Sequence, residues 1–220
     1  MDNFFNNTKY TLYIVNFMKF SKFFSNLQEA PWYRQFLNPV IDQIDANSSL
    51  LDIGTGSGKM LEILSAEKNV HCVGTDTSED MLKEAKEKLK NTSVKLELTT
   101  KGKVLPFDKK SFDYITICSV FFHLEKKEID EMLKDYLQLL KKEGEIIILT
   151  PTGKGNILKL TKHYFSIKNT AIYIWYCATK KRADLWTENK YLSEYTSKNN
   201  LKYKCEIVMN GFAQLEIITK

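Results

Sequence analysis

The residues best suited to chemistry in this chain are Asp52, the glycines at 54, 56 and 58, and Asp76. In Leu50-Leu51-Asp52-Ile53-Gly54-Thr55-Gly56-Ser57-Gly58-Lys59-Met60, an apolar run meets an acidic residue, then glycine at every second position, then an amphipathic helix. Glycine lets the backbone turn sharply and lets a ligand approach without a Cβ in the way. The helix that follows offers N–H groups and a positive dipole end to whatever lies on the loop. A dinucleotide fingerprint requires a third glycine at position 59, which is Lys. A phosphate-binding P-loop fails as well: Met60 follows Gly58-Lys59, and Ile53 stands where its first glycine would be. The loop therefore suits a nucleoside-bearing ligand that lacks a pyrophosphate. Asp76 closes Val73-Gly74-Thr75-Asp76, and its carboxylate offers two acceptor oxygens for the two hydroxyls of a ribose. A plainer role for Asp76 is capping the next helix, and for Asp52 capping the turn, which is compatible with ligand contact.

These residues need strands to hold them. Leu50–Ile53 reads as a short buried strand, Lys59–Ala66 as a helix with Met60, Leu61, Ile63 and Leu64 on its core face, and Val70–Thr75 as a second strand. Thr77-Ser78-Glu79-Asp80 carries a helix-start signature, a hydroxyl followed three residues later by a carboxylate. The helix it opens puts Met81, Leu82, Ala85 and Leu89 on one side. Val94, Leu96 and Leu98 alternate with polar residues as on an edge strand, whereas Tyr114–Val120 is nearly all apolar, as a central parallel strand should be. Ile129, Met132, Leu133, Tyr136, Leu137 and Leu140 repeat at helical spacing, Gly144 ends that connection, and Ile146–Leu149 makes a further buried strand. Alternating strands and helices imply right-handed βαβ units and an open parallel sheet covered on both faces. Ligands bind such sheets beyond the carboxyl ends of the strands, where strand order reverses. Asp52, Asp76, Thr99–Lys103 and Cys118-Ser119 all fall at such ends.

The two ends of the chain differ from the middle. Residues 4–44 read as aromatic-rich helices broken near Pro31 and Pro39, and 153–199 as two or three more helices. Tyr203–Met209 and Phe212–Thr219, separated by Asn210-Gly211, form a hairpin with a strong turn signal. The expected organisation is a helical cap over 1–45 and a ligand-binding domain over 46–220 with a helical insertion at about 153–199.

The same residues resemble a family. Leu51-Asp52-Ile53-Gly54-Thr55-Gly56-Ser57-Gly58, then Gly74-Thr75-Asp76, then Leu105-Pro106-Phe107 before Ser111-Phe112-Asp113-Tyr114, are similar to the class I S-adenosylmethionine-dependent methyltransferases. The likeness is to the small-molecule branch of ubiquinone/menaquinone-biosynthesis-type enzymes, methyltransferase type 11/25. It covers roughly residues 48–151, and Phe121-Phe122-His123-Leu124 and Leu140–Glu145 extend it. The resemblance implies a Rossmann-like α/β fold: a mostly parallel seven-stranded sheet with a C-terminal antiparallel hairpin and helices on both faces. It implies that Asp52 and the loop residues Gly54, Thr55, Gly56 and Gly58 hold the methionine part of S-adenosyl-L-methionine. Asp76 would take the ribose hydroxyls, Thr77 and Met81 would lie beside the adenine, and Ser119 would sit near the methionine part and the acceptor. One departure stands out. Where relatives have Gly-Asp-Ala, this chain reads Thr100-Lys101-Gly102. A lysine side chain cannot accept the adenine amino group, so a backbone group at Lys101 and Gly102, or packing, must serve.

A methyl on a sulfonium is already electrophilic, so the protein's task is alignment, and a base is needed only if the acceptor must lose a proton. His123 follows strand four on the ligand side, where an ordinary pKa near ~6.5 would suit a base; its plainer role is at the start of the next helix. His163 reads as a surface residue. Acceptor recognition falls to the aromatic ends: Tyr10, Tyr13, Phe17, Phe20, Phe23 and Phe24, and Ile167, Ile172, Ile174, Trp175 and Tyr176. These serve either as core faces or as a lid over a small apolar or aromatic acceptor. Lys162, Lys168, Lys180, Lys181 and Arg182 beside the lid suit an anionic membrane surface.

Composition has the profile of an ordinary soluble globular protein. The 220 residues are 43% hydrophobic and 27% charged, with a net charge of +5 whose lysines are interspersed with glutamates. That mixing describes solvated helix faces and not a nucleic-acid stripe. Cys72, Cys118, Cys177 and Cys205 are scattered in apolar runs with no metal spacing, which points to small buried hydrophobes in a reducing compartment. No signal peptide is apparent, and the longest apolar run, Ala171 to Ala178, is too short to span a bilayer. The expected setting is cytoplasmic. Two other functions fit less well: a non-catalytic S-adenosylmethionine-binding protein keeping the fold, and a nicotinamide oxidoreductase, which lacks the third glycine and a Tyr-x-x-x-Lys pair.

Overall fold

The computed structural model describes residues 20–220. Tyr10, Tyr13 and Phe17 lie outside the described residues. Seven strands form one sheet: β1 (Ser49–Ile53), β2 (His71–Asp76), β3 (Lys95–Leu98), β4 (Phe112–Cys118), β5 (Leu140–Pro151), β6 (Lys202–Val208) and β7 (Ala213–Thr219). Their order is β3-β2-β1-β4-β5-β7-β6. The first five are parallel, and β7 runs antiparallel between β5 and β6. Strand order reverses between β1 and β4, so the ends of these two strands mark the crevice where a ligand belongs.

The helices are α1 (Phe20–Gln28), α2 (Pro31–Gln43), α3 (Lys59–Lys68), α4 (Glu79–Leu89), α5 (Lys126–Leu139), α6 (Ile157–Tyr164), α7 (Ala171–Asn189) and α8 (Tyr191–Lys198). Strand side chains alternate between two layers, as the pleat requires. Leu50, Tyr114, Ile147 and Leu149 pack with α2, α3 and α4, while Leu51, Ile115, Ile117 and Ile148 pack with α5 and α8. Helix α7 belongs to both layers. Its Ile172, Trp175 and Tyr176 join the first and its Trp186 the second. It passes from one to the other beside the end of β5, where a Cβ on Gly153 would stand 2.4 Å from the Lys180 carbonyl oxygen. Only glycine allows that approach. Among the described residues no helix is long and apolar enough to cross a membrane.

Several local expectations change. Helix α2 continues through Pro39, with Pro31 at its first turn; proline there forfeits one backbone bond but not the buried face of Trp32, Phe36, Leu37, Val40 and Ile41. The cap of α4 is Ser78, whose hydroxyl accepts from the Met81 N–H at 3.3 Å, so Thr77 and Asp80 do not frame a capping box. Leu140 opens β5 instead of closing α5, and Gly144 lies inside that strand because a Cβ would stand 2.9 Å from the Asp113 carbonyl oxygen. The hairpin turn is longer than two residues: Val208 pairs with Ala213, and Met209, Asn210 and Gly211 all take positive φ, with Phe212 in the connection. Of the cysteines only Cys72 is buried; Cys118 is partly covered, and Cys177 and Cys205 are exposed.

Candidate functional site

The site is built at the carboxyl ends of β1, β2 and β4. Gly54 and Thr55 turn back on β2, both backbone N–H groups donating to the Thr75 carbonyl at 2.8 and 2.9 Å. The loop then rises to Gly56, whose N–H donates to Asp76 Oδ2 at 2.9 Å, while Ser78 N–H donates to Asp76 Oδ1 at 2.8 Å. Asp76 thus ties the glycine loop to the start of α4 and keeps further lone pairs on both oxygens. Gly54 must be glycine: its φ is +73°, and a Cβ would stand 2.6 Å from Val120 Cγ2.

Asp52 lies beneath this loop. Its Oδ1 accepts from Thr116 Oγ1 at 2.8 Å, and its carbonyl accepts from Thr75 Oγ1 at 3.3 Å. Burial pushes its carboxyl up to about 6; hydrogen bonds from Thr55 and Thr116 oppose the rise, and the charge of Asp76 adds to it. Burial likewise raises Asp76, against the N–H groups of Ser78, Gly56 and Thr77. None of the ion pairs among the described residues involves either carboxylate. Two neighbouring buried acids without a cation make a site poised for a cationic ligand.

Ser119 follows β4 in the left-handed region (φ 59°), an uncommon conformation for serine. Its buried hydroxyl has no protein partner. Met81 is buried at the first turn of α4, with exposed Thr77 at its approach. Lys101 and Gly102 stand apart: Lys101 is exposed and its ammonium reaches Glu128 on α5 at 2.6 Å, and nothing lies within 4 Å of a Cβ on Gly102.

His123 departs from the expected ordinary imidazole. Burial and the adjacent Arg182 charge lower its pKa to about 4. Arg182 Nη1 stands 2.9 Å from Nδ1, and because guanidinium only donates, Nδ1 carries the lone pair. This imidazole is neutral at pH 7 and weakly basic at the nitrogen that faces Arg182.

The sequence did not single out the N-terminal side of the site. Gln28, at the end of α1, accepts from Ser57 Oγ at 2.5 Å and donates to the Tyr33 hydroxyl at 3.1 Å. Next to it, Glu29 bridges Lys59 and Lys88 at 2.6 and 2.5 Å. Burial alone would raise Glu29, but these two lysines hold it below the usual carboxylate range. Tyr33 lies close enough to Asp52 and Cys118 for their charges to add to the upward shift that burial gives its phenol. No motif surrounds Gln28, Glu29 or Tyr33, and their roles emerge only when α1 and α2 fold across the loop.

Comparison with known proteins agrees with this geometry. Residues 50–144 match the family model described as a methyltransferase domain. The chain is 25% identical over 201 residues to a carboxy-S-adenosyl-L-methionine synthase from Nautilia profundicola, covering 87% of this chain and 82% of that protein. It is 32% identical to a demethylmenaquinone methyltransferase from Staphylococcus carnosus over 47% of this chain and 43% of that one. Apart from the first, the chain spans about half the length or less of the curated relatives it matches. A SAM-dependent methyltransferase structure from Aquifex aeolicus shares the fold, with a TM-score of 0.60 at 15% identity over 89% of this chain and 92% of that one. Residues 50–144 are thus similar to a methyltransferase domain, and the sheet order is the fold shared with SAM-dependent methyltransferase structures.

Proposed function

We propose that this chain transfers the methyl group of S-adenosylmethionine to a small apolar or aromatic acceptor that enters beside Ser119. The observation that carries the cofactor assignment is the pair of buried acids, Asp52 and Asp76, at the ends of adjacent strands. The cofactor supplies a sulfonium-bound methyl, and it brings an ammonium and a ribose diol. Asp52 suits the ammonium, which would provide the counter-charge the protein does not. Asp76 suits the ribose, using lone pairs left free by Gly56 and Ser78. The Ser119 hydroxyl and the loop residues Gly54, Thr55, Gly56 and Gly58 border the methionine part, and Thr77 and Met81 border the adenine. Because Lys101 turns to Glu128, the adenine amino group is left to backbone carbonyls around Gly102 and to packing on Met81.

Cys118 and Val120 flank Ser119 in the chain, and Tyr33 lies close to Cys118; in this reading they line the acceptor side. The chain's contribution to rate is alignment and exclusion of water. A base of pKa about 4 whose lone pair faces Arg182 recovers little driving force at neutral pH. His123 therefore positions Arg182 in this reading, and the favoured acceptors are those that ionise without help.

The test is turnover of a panel of phenols, quinols and amines, with cofactor products followed by mass spectrometry. Methylated acceptor with release of S-adenosylhomocysteine supports the proposal. Cofactor bound without turnover on any acceptor would instead favour a binding protein. A carboxylated cofactor product would favour the reaction in the name of the Nautilia relative.

A further inference from the structure

Between Glu145 and Asp184 the chain contains no acidic residue, but it contains Lys154, Lys159, Lys162, Lys168, Lys180, Lys181, Arg182 and His163. Inside this window, residues 157–167 carry four of the eight large apolar side chains most exposed among the described residues. Ile157, Leu158, Phe165 and Ile167 are 52%, 82%, 76% and 88% exposed.

These side chains are displayed by an anchored element. Leu160 and Tyr164, on the side of α6 away from Leu158, are buried. The Tyr164 hydroxyl accepts from Asn210 Nδ2 at 2.9 Å, its carbonyl accepts from Asn169 Nδ2 at 3.0 Å, and Asn156 caps the helix through the Lys159 N–H. A helix tied down on one side, with bare aliphatic and aromatic groups on the other, leaves that apolar area in water unless something covers it. Lys162 and Lys168 rim the patch, and neither belongs to any of the ion pairs among the described residues.

We propose that α6 and the turn after it form a docking surface for an anionic phospholipid bilayer. Ile157, Leu158, Phe165 and Ile167 enter the headgroup–acyl boundary, and Lys162 and Lys168 meet lipid phosphates. Paired apolar insertion and basic rim is the signature of interfacial binding. A nucleic acid would use the lysines but leave the aliphatic groups idle, and an acid-free apolar patch offers no complementary charge for a second copy of itself. This inference stands whether or not the acceptor assignment holds.

The test is co-sedimentation of the full chain with vesicles of phosphatidylcholine alone and of phosphatidylcholine mixed with phosphatidylglycerol. The expected result is partitioning at least ~10-fold stronger on the anionic vesicles and weakened by salt. Leu158→Asp with Phe165→Asp should reduce it by ~10-fold or more, and Lys162→Glu with Lys168→Glu should remove the anionic preference. All four sites are exposed, and unchanged thermal unfolding confirms the fold of each variant. Equal binding to both vesicles, or variants equal to wild type, would overturn the proposal. So would sedimentation showing a wild-type dimer that the Leu158→Asp, Phe165→Asp variant dissociates, or tight duplex DNA binding that this variant retains.

Discussion

Asp76 Oδ2 accepts the backbone N–H of Gly56 at 2.9 Å. The acid that ends the second strand therefore holds the middle of the loop that leaves the first. One side chain shapes the loop and, in the proposed reading, takes the ribose with the lone pairs it has to spare. That dual use makes the loop's conformation and the ligand's affinity respond to the same residue.

Under the proposed ammonium pairing, Asp52 should make cofactor affinity depend on pH. In the free protein its carboxyl titrates at about 6, and only the ionised form pairs with an ammonium. Protons and cofactor then compete, so affinity should fall as pH drops from 7 through about 6, approaching ~10-fold per unit. Titration calorimetry at pH 5, 6 and 7.5 checks this. Asp52→Asn should bind more weakly at pH 7.5 and lose most of the dependence.

His123 should contribute to acid sensitivity of the fold and not to the pH–rate profile. Its folded pKa, about 4, lies below the ordinary histidine value. The unfolded chain thus binds the proton first, and stability falls as pH drops from about 6.5 towards 4. His123→Gln should lose less stability than wild type between pH 7 and 5 in thermal unfolding, with kcat showing no lost ionisation near 6.5.

Glu216 on β7 gives the opposite slope. It is buried and accepts from Trp186 Nε1 at 3.1 Å, Tyr203 Oη at 2.6 Å and Gln214 Nε2 at 3.0 Å, linking α7 to the hairpin. Burial nevertheless raises its pKa, so the folded state prefers the protonated form. Its contribution is full at low pH and declines as pH rises through the raised value. Glu216→Leu leaves three donors unpaired, those of Trp186 and Gln214 buried, and should lower stability by ~2–4 kcal/mol in denaturant unfolding. Glu216→Gln should lose less and should flatten the decline.

Gln28 latches α1 onto the glycine loop through Ser57. Gln28→Ala should cost about 1 kcal/mol and raise hydrogen exchange in residues 54–58 and in α1, leaving the sheet unchanged. Unaltered exchange in the loop would remove the latch.

The central sheet was legible because buried parallel strands, helical spacing and a closing hairpin each leave a periodic trace. Gly54–Gly58 and Asp76 were legible because backbone geometry restricts which residues can stand there. Long-range partners left no trace. The low pKa of His123 depends on its burial and on Arg182, and the latch depends on Gln28, Ser57, Glu29, Lys59 and Lys88 meeting across three elements. Pro39 read as a helix end because local propensity says so, yet the buried face of α2 outweighs it. The hairpin turn read as two residues because Asn210-Gly211 is a strong signal; Met209 also takes positive φ and lengthens it.

The most direct test is calorimetric titration of wild type and Asp76→Ala with S-adenosylmethionine and S-adenosylhomocysteine. The expected result is one site per wild-type chain and an affinity at least ~10-fold weaker in Asp76→Ala, the loss of one or more charge-assisted hydrogen bonds. Thermal unfolding serves as the check that the variant is folded. A wild-type chain that binds neither ligand, or a folded Asp76→Ala that binds both as tightly as wild type, would contradict the assignment.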